Sequence, residues 1–362
     1  MKWKGLWTGA GLAMLLACNT AEARSAVVLY GVLDAGVTYA GGGSGGSKIF
    51  TGTGINSPNL FGMQITESLG GGLSAIARLE GQYSLENGNS IDGLYGRQVY
   101  SGLTSRDWGT VSLGKHYDFS FEMLARERYG AALKYVSLYN LRQGPFGGLG
   151  VPTMPGGSLD LDRVGGAERI SNSIKYTSPA IGGLRLGVLY SFGDQGGGLR
   201  QDGAYSAGLS YEQGAFGITA ALTEVRYSAI NQGKDGVRTW GLGGRYSLGE
   251  VFLTASHTST RNTFTGGGVR VWQAGLGIPV MSRSVAMLDY QFQRGNEVLD
   301  KVYAHQFGVT VDYEFSRRTD TYIGMVFQKA GGHGAHAWIA GVPGPAEGDR
   351  QLMLRVGLRH VF

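Results

Sequence analysis

The chain of 362 residues contains a single cysteine, Cys18, and it lies within the first 25 residues. Residues 26–362 therefore have neither a disulfide framework nor thiolate chemistry. Proline numbers only 8, and the 64 glycines show no period of three, which excludes a collagen-like chain. Charged residues make up 16%, against about a quarter in ordinary globular domains. Beyond the N-terminus no stretch is apolar long enough to cross a bilayer as a helix, so any membrane-spanning role falls to a β-barrel. Helical periodicity is also missing outside residues 119–135.

The first 25 residues, MKWKGLWTGAGLAMLLACNTAEARS, place Lys2 and Lys4 before an apolar run from Gly5 to Cys18, with small residues at Ala21, Ala23 and Ser25. This is the layout of a secretory signal peptide, 1–25, with cleavage after Ala23 or Ser25. Removing it leaves 29 basic and 26 acidic residues, a balance of +3 that gives no case for nucleic acid. A rival reading takes Leu15-Leu16-Ala17-Cys18 as a lipoprotein cleavage box, which would make the protein a Cys18-anchored surface lipoprotein or adhesin.

What the rest of the chain does contain is alternation of period two. In FGVTVDYEFS, Phe307, Val309, Val311, Tyr313 and Phe315 alternate with Gly308, Thr310, Asp312, Glu314 and Ser316. Successive strand side chains point to opposite faces, so this ribbon has one apolar face and one face with two carboxylates. The pattern predicts strands near 26–39, 57–68, 72–86, 94–104, 109–117, 169–178, 183–192, 204–212, 216–226, 236–247, 250–260, 269–279, 283–294, 302–315, 320–329 and 350–362. Tight connections alternate with long ones at 40–56, 118–168, 193–203, 227–235, 261–268 and 330–349. The expected fold is all-β: a 16-stranded antiparallel transmembrane barrel formed by one domain, 26–362, with a lumen wide enough for water. A Gly-rich β-solenoid or multi-sandwich would also alternate, but would not produce this rhythm of short and long connections.

Several stretches resemble the trimeric general, non-specific porins of β-proteobacterial outer membranes. They are VVLYGVLDAGV (27–37), ESLGGGLSAIARLEGQY (67–83), GRQVYSGL (96–103), WGTVSLGKHYD (108–118), NSIKYTSPAIGGLRLGVLYSFGD (172–194) and VGLRHVF (356–362). The resemblance implies an outer-membrane location in a Gram-negative bacterium, a homotrimer, and contact with outer-membrane lipid and lipopolysaccharide. It also implies an assembly signal for the barrel assembly machinery at Phe362. The third external loop, about 118–168, would fold into the lumen and narrow it. Opposite the loop, Lys115, Arg169, Arg78 and Arg97 would form a basic wall, with Glu80 sharing the face of Arg78. Asp118, Glu122, Asp160 and Asp162 would supply the acidic, loop side. The chain departs from the family pattern at Leu60, where an arginine is usual, at Ser68, and at Pro145 in GPFGG, where the loop tip commonly carries a glutamate.

Opposed rows of charge across a narrow aqueous gap orient dipolar solutes and penalise apolar ones. Residues 118–168 carry six acids and five bases, so with the tip carboxylate missing the expected preference is weakly for anions. The function expected is passive diffusion of small hydrophilic solutes and ions, the alternative being a substrate-specific channel of the same architecture. No cofactor is expected, and no metal. His333 and His336 in GGHGAHAW lack a companion ligand, and the six histidines fit neither a nucleophile elbow nor an HExxH helix. Enzyme activity is accordingly not expected, an outer-membrane hydrolase being the remotest reading.

Overall fold

The structure, a computed structural model, describes residues 25–43, 45–126, 141–193 and 201–362. Residues 1–24 of the expected signal peptide lie outside the described residues. Sixteen staves form one sheet. They are β1 (Ser25–Gly43), β2 in two segments (Gly46–Thr53 and Leu60–Gly70), β3 (Leu73–Tyr83) and β4 in two segments (Ser90–Ile91 and Gln98–Ser105). There follow β5 (Gly109–His116), β6 (Ile170–Thr177), β7 (Leu184–Ser191), β8 (Ala204–Gln213), β9 (Phe216–Arg226) and β10 (Gly236–Leu248). The last six are β11 (Val251–Asn262), β12 (Gly268–Met281), β13 (Ser284–Gly295), β14 (Tyr303–Ser316), β15 (Thr319–Gly331) and β16 (Arg350–Val361).

Each stave pairs antiparallel with the next, and β16 pairs with β1 from Val32↔Val361 to Gly41↔Leu352, so the sheet closes without an edge. Closure continues past the last strand: the Gly31 N–H donates to the Phe362 carbonyl at 3.0 Å and the Phe362 N–H to the Gly31 carbonyl at 3.1 Å. The long connection expected at 40–56 is not there. Instead β1 and the first segment of β2 stay paired as far as Gly43↔Gly46, and the non-strand residues fall inside the second stave at 54–59. There the carboxylate of Asp34 accepts from the Asn56 and Ser57 N–H groups, so a kink that reads as loop in the sequence is held against β1.

Alternation sorts the two media as the sequence implies. On β14, Phe307 is 47% and Phe315 55% exposed on the outer face, while Gln306 and Thr310 are fully buried on the inner one. On β16, Leu354, Val356 and Leu358 point out, and Met353 and Arg355 point in. Apolar surface of this extent faces lipid rather than water. The rim carrying the long connections, including the one between β5 and β6, is the external one, and the other rim has short turns. Gly214 and Gly249 take φ of 56° and 62° at two of those turns, a conformation that glycine adopts without strain.

The lumen is partly filled. After β5 the chain makes a short turn of helix, Phe119–Phe121, capped by the Asp118 side chain, and then a wider turn at Glu122–Arg126. The remainder of the helix expected to 135 lies outside the described residues. Phe119, Met123 and Leu124 pack on Ile170, Leu189, Ala204 and Ala221 of β6–β9. Glycines on the wall make this possible, because a Cβ on Gly187 would lie 2.1 Å from the Phe119 ring. Gly187→Val is therefore expected to displace Phe119 at a cost of about 1–3 kcal/mol while the barrel still forms. Limited proteolysis of the folded variant checks this: faster cleavage after Phe119 or Phe121 is the expected result, and unchanged protection counts against the packing.

Candidate functional site in the barrel lumen

The inward loop is held to the wall by charges. Asp118 accepts from Arg163 Nε at 2.7 Å and from the Phe121 N–H at 3.1 Å, and it is fully buried. Arg163 also reaches Glu168 at 2.9 Å, and Glu168 accepts from Tyr227 at 2.6 Å. Glu122 pairs at 2.8 Å with Lys175 of β6, whose ammonium also donates to the Tyr117 carbonyl at 2.8 Å. Asp162 pairs with Arg142 at 3.2 Å and accepts from Thr258 of β11 at 2.7 Å. Asp160 accepts from the Gly165 and Ala167 N–H groups at 2.7 and 2.8 Å. The four loop acids therefore act as anchors within the loop and to the wall behind it. Leaving one partner of such a buried pair uncompensated costs several kcal/mol, which keeps the loop in place.

The four expected wall bases divide. Arg97 donates through Nε to Glu80 at 2.7 Å, and through other nitrogens to Gln82 and Tyr117. Glu80 also accepts from Tyr30 at 2.7 Å, and Arg78 lies over the Tyr30 ring, with its guanidinium carbon 5.7 Å from the centroid. Arg169 lies over the Tyr117 ring at 5.5 Å and donates to the carbonyls of Ala167 and Arg97. Three arginines, 78, 97 and 169, thus share one patch around the carboxylate of Glu80, and the Asp92 charge also acts on Arg169. Arg78 and Arg169 form no ion pair with any described residue. Lys115 stands at the edge of this patch, near enough to Arg169 and Asp92 for their charges to act on it. It stands in register with Val99, beside the outward Leu113, and alternation turns it to the outer face. His116 takes the lumen position instead, held between Ser112 and Ser173 at 2.9 Å each and stacked on Tyr100.

Two features escaped the sequence reading. The first is Arg355, almost fully buried on β16, which donates to Tyr322, Thr38 and the Gly52 carbonyl and lies 3.5 Å from Asp34. It knits the seam where the sheet closes. The second is a row of five glutamines in direct cross-strand register, Gln273↔Gln291↔Gln306↔Gln328↔Gln351, across the inner face of β12–β16. Loops dock on this row. Arg142 donates to Gln273, the Trp338 N–H to Gln328 at 2.7 Å, and the Ile339 N–H to Gln351 at 2.6 Å. The signal lay in the alternation, which puts every one of these amides on the polar side of its strand. Among the described residues no group of three His, Cys, Asp or Glu is placed to hold a metal.

A closed, edge-free barrel with an apolar outside, a polar inside and a charged loop folded across the lumen defines an outer-membrane channel. Comparison with known proteins agrees. The model of the Gram-negative porin family matches residues 10–333, and the chain belongs to that family. It is 28% identical to outer membrane porin protein 32 of Delftia acidovorans over 97% of this chain and 98% of that one. It is 29% identical to an outer membrane porin protein of Bordetella pertussis over 70% of each. Among solved structures, an anion-selective porin from Comamonas acidovorans superposes with a TM-score of 0.76 at 22% identity, covering 94% of this chain and all of the other. The protein is an integral β-barrel of the outer membrane and a general porin channel.

Burial, and then the neighbouring Asp162 charge, push the Asp160 carboxyl up to about 7. A carboxyl raised above its unfolded value favours the folded loop while protonated. Its contribution is complete below about pH 4 and is lost as the pH rises through about 7. Thermal unfolding should accordingly shift downward between pH 5 and 8 by more in the wild type than in Asp160→Asn, and equal shifts would contradict it. Lys175→Ala leaves Glu122 without its ammonium. It should lower stability by about 3–5 kcal/mol and raise open-channel current noise as the loop loosens, both read on purified protein.

Proposed function

We propose that this porin conducts small hydrophilic solutes and ions with a weak preference for anions, and that it works as a homotrimer. The observation that carries the preference is the patch of Arg78, Arg97 and Arg169 around Glu80, in which three cations outnumber the nearby carboxylates Glu80 and Asp92. Elsewhere in the lumen Arg142 pairs with Asp162, Lys175 with Glu122 and Arg245 with Glu212, while Arg359 is shared by Asp320 and Asp312. An unbalanced patch on one wall attracts counter-ions and leaves the opposite sign at a disadvantage. The anion-selective relative of similar fold is in keeping with this reading, and a Vibrio cholerae outer membrane protein of similar fold occurs in a trimer form.

On the same reading, residues 1–25 direct export and Phe362 is recognised by the barrel assembly machinery. No catalysis is assigned. His116 is locked between two serines without a carboxylate partner, while His257 and His305 stack among outer-face aromatics.

The test is reversal potential in a tenfold salt gradient, with Arg78→Gln/Arg169→Gln beside the wild type. The wild type should show a small potential of anion sign and the double variant one displaced toward cations. Clear cation selectivity in the wild type, or no displacement in the variant, would overturn the assignment.

A further inference from the structure

The inner wall of β11–β16 changes character near the rim of short turns. Further up it carries the row of amides, whereas here Phe252 of β11, Pro279 of β12 and Val285 and Met287 of β13 turn inward, by the same alternation that faces Thr258, Gln273 and Gln291 to the lumen. The Phe252 ring lies across Gly277 and leaves no room for a Cβ there. Met287 is buried against Phe252 and Val285, which, like Pro279, are themselves half-buried. Apolar surface left facing an aqueous lumen is a place where a solute with an apolar body gains by docking.

Carboxylates begin where this patch ends. Val285 stands directly opposite Asp312 of β14, and Glu314 directly opposite Asp320 of β15. The charges of Asp320 and Glu314 both act on Asp312. Among the described residues their ion partner is Arg359 of β16, 2.8 Å from Asp320 and 3.9 Å from Asp312. Arg283, Arg317 and Arg318, in the turns beyond, form no ion pair with them, so three acids face one base. Asp320 is only 6% exposed, and its Oδ1 accepts no hydrogen bond. A buried carboxylate oxygen without a donor is costly, and a bound cation with N–H groups would supply one.

We propose that this stretch of wall binds amphiphilic amines, solutes that join an ammonium to an apolar body. The ammonium would sit at Asp312 and Asp320, and the body would lie across Val285, Pro279 and Phe252, one, two and three strands away from Asp312. With neighbouring strands about 4.8 Å apart, the apolar contacts begin about 5 Å from the charge and end about 15 Å from it. A phenylalkyl amine reaches along that span, whereas methylammonium meets the carboxylates alone. The arginines beside Tyr30 and Tyr117 belong to a different arc of the wall, near β3–β6, so the two arcs favour opposite charges. The inference names a solute class for the lumen and rests on the channel reading.

Block of single-channel current in a planar bilayer tests it, with 4-phenylbutylamine, the uncharged 4-phenyl-1-butanol and methylamine added in turn to both compartments. On the wild type, 4-phenylbutylamine should block saturably, with an apparent Kd about tenfold or more below that of either other probe. Asp312→Asn and Phe252→Gln should each raise that Kd about three- to fivefold. Both leave the Asp320–Arg359 pair in place, and a conductance equal to the wild type's without amine shows that they fold. Glu212→Gln removes a lumen carboxylate at the same rim but outside the patch, and should leave the Kd unchanged. Equal block by the alcohol would reduce the site to an apolar surface, and equal block by methylamine to bare charge; either overturns the proposal. So would a wild-type Kd in Asp312→Asn or Phe252→Gln, or an equal loss in Glu212→Gln. The comparison of probes on the wild type decides the question even where a variant fails to fold. Wild-type protein that conducts but is not blocked by 4-phenylbutylamine would overturn this site alone, whereas folded protein that conducts nothing would overturn the channel reading.

Discussion

Hydrocarbon offers no hydrogen bonds, and every other feature of this protein follows from how its backbone meets that constraint. An unpaired peptide group in the membrane costs several kcal/mol, so a chain without an apolar helix can cross only as a closed sheet. Closure is therefore where the structure is most heavily secured. The ladder from Val32↔Val361 to Gly41↔Leu352 runs into the Gly31–Phe362 bonds at one end, and Arg355, Tyr322 and Asp34 cross the same seam from within. A Cβ at Gly31 would lie 2.3 Å from the Phe362 ring, so the small residue and the terminal aromatic fit together.

Once closed, sixteen staves enclose more space than their own side chains can fill. The loop between β5 and β6 occupies part of it, at an electrostatic cost met by pairing. Asp118, Glu122 and Asp162 each have a cation within 3.2 Å. Their charges are spent on position rather than on solutes. On the proposed reading, the selectivity of the channel rests with the arginines beside Tyr30 and Tyr117.

Strand positions and the lipid-facing rows were legible because period-two alternation survives wherever one face meets lipid and the other water, whereas the inward turn of the β5–β6 loop was implied by the family resemblance alone. Legibility failed where alternation is interrupted. The kink at 54–59 reads as the end of a loop because its backbone is satisfied by Asp34, which is distant in sequence, and the opening loop was consequently drawn too long. Lys115 was expected in the lumen by matching to a family motif, although the alternation through Leu113 and its register with Val99 turn it outward. The glutamine row was present as five separate polar positions, and only the register aligned them. Loop acids are the hardest case, since an anchoring carboxylate and one facing the pore are the same residue type until their partners are known.

Single-channel recording of the purified protein in a planar bilayer tests the central claim most directly, that this is a closed barrel around an open, water-filled lumen. The account predicts large ohmic conductance steps, closing in threes from a trimer. Correctly folded protein that conducts nothing would contradict it.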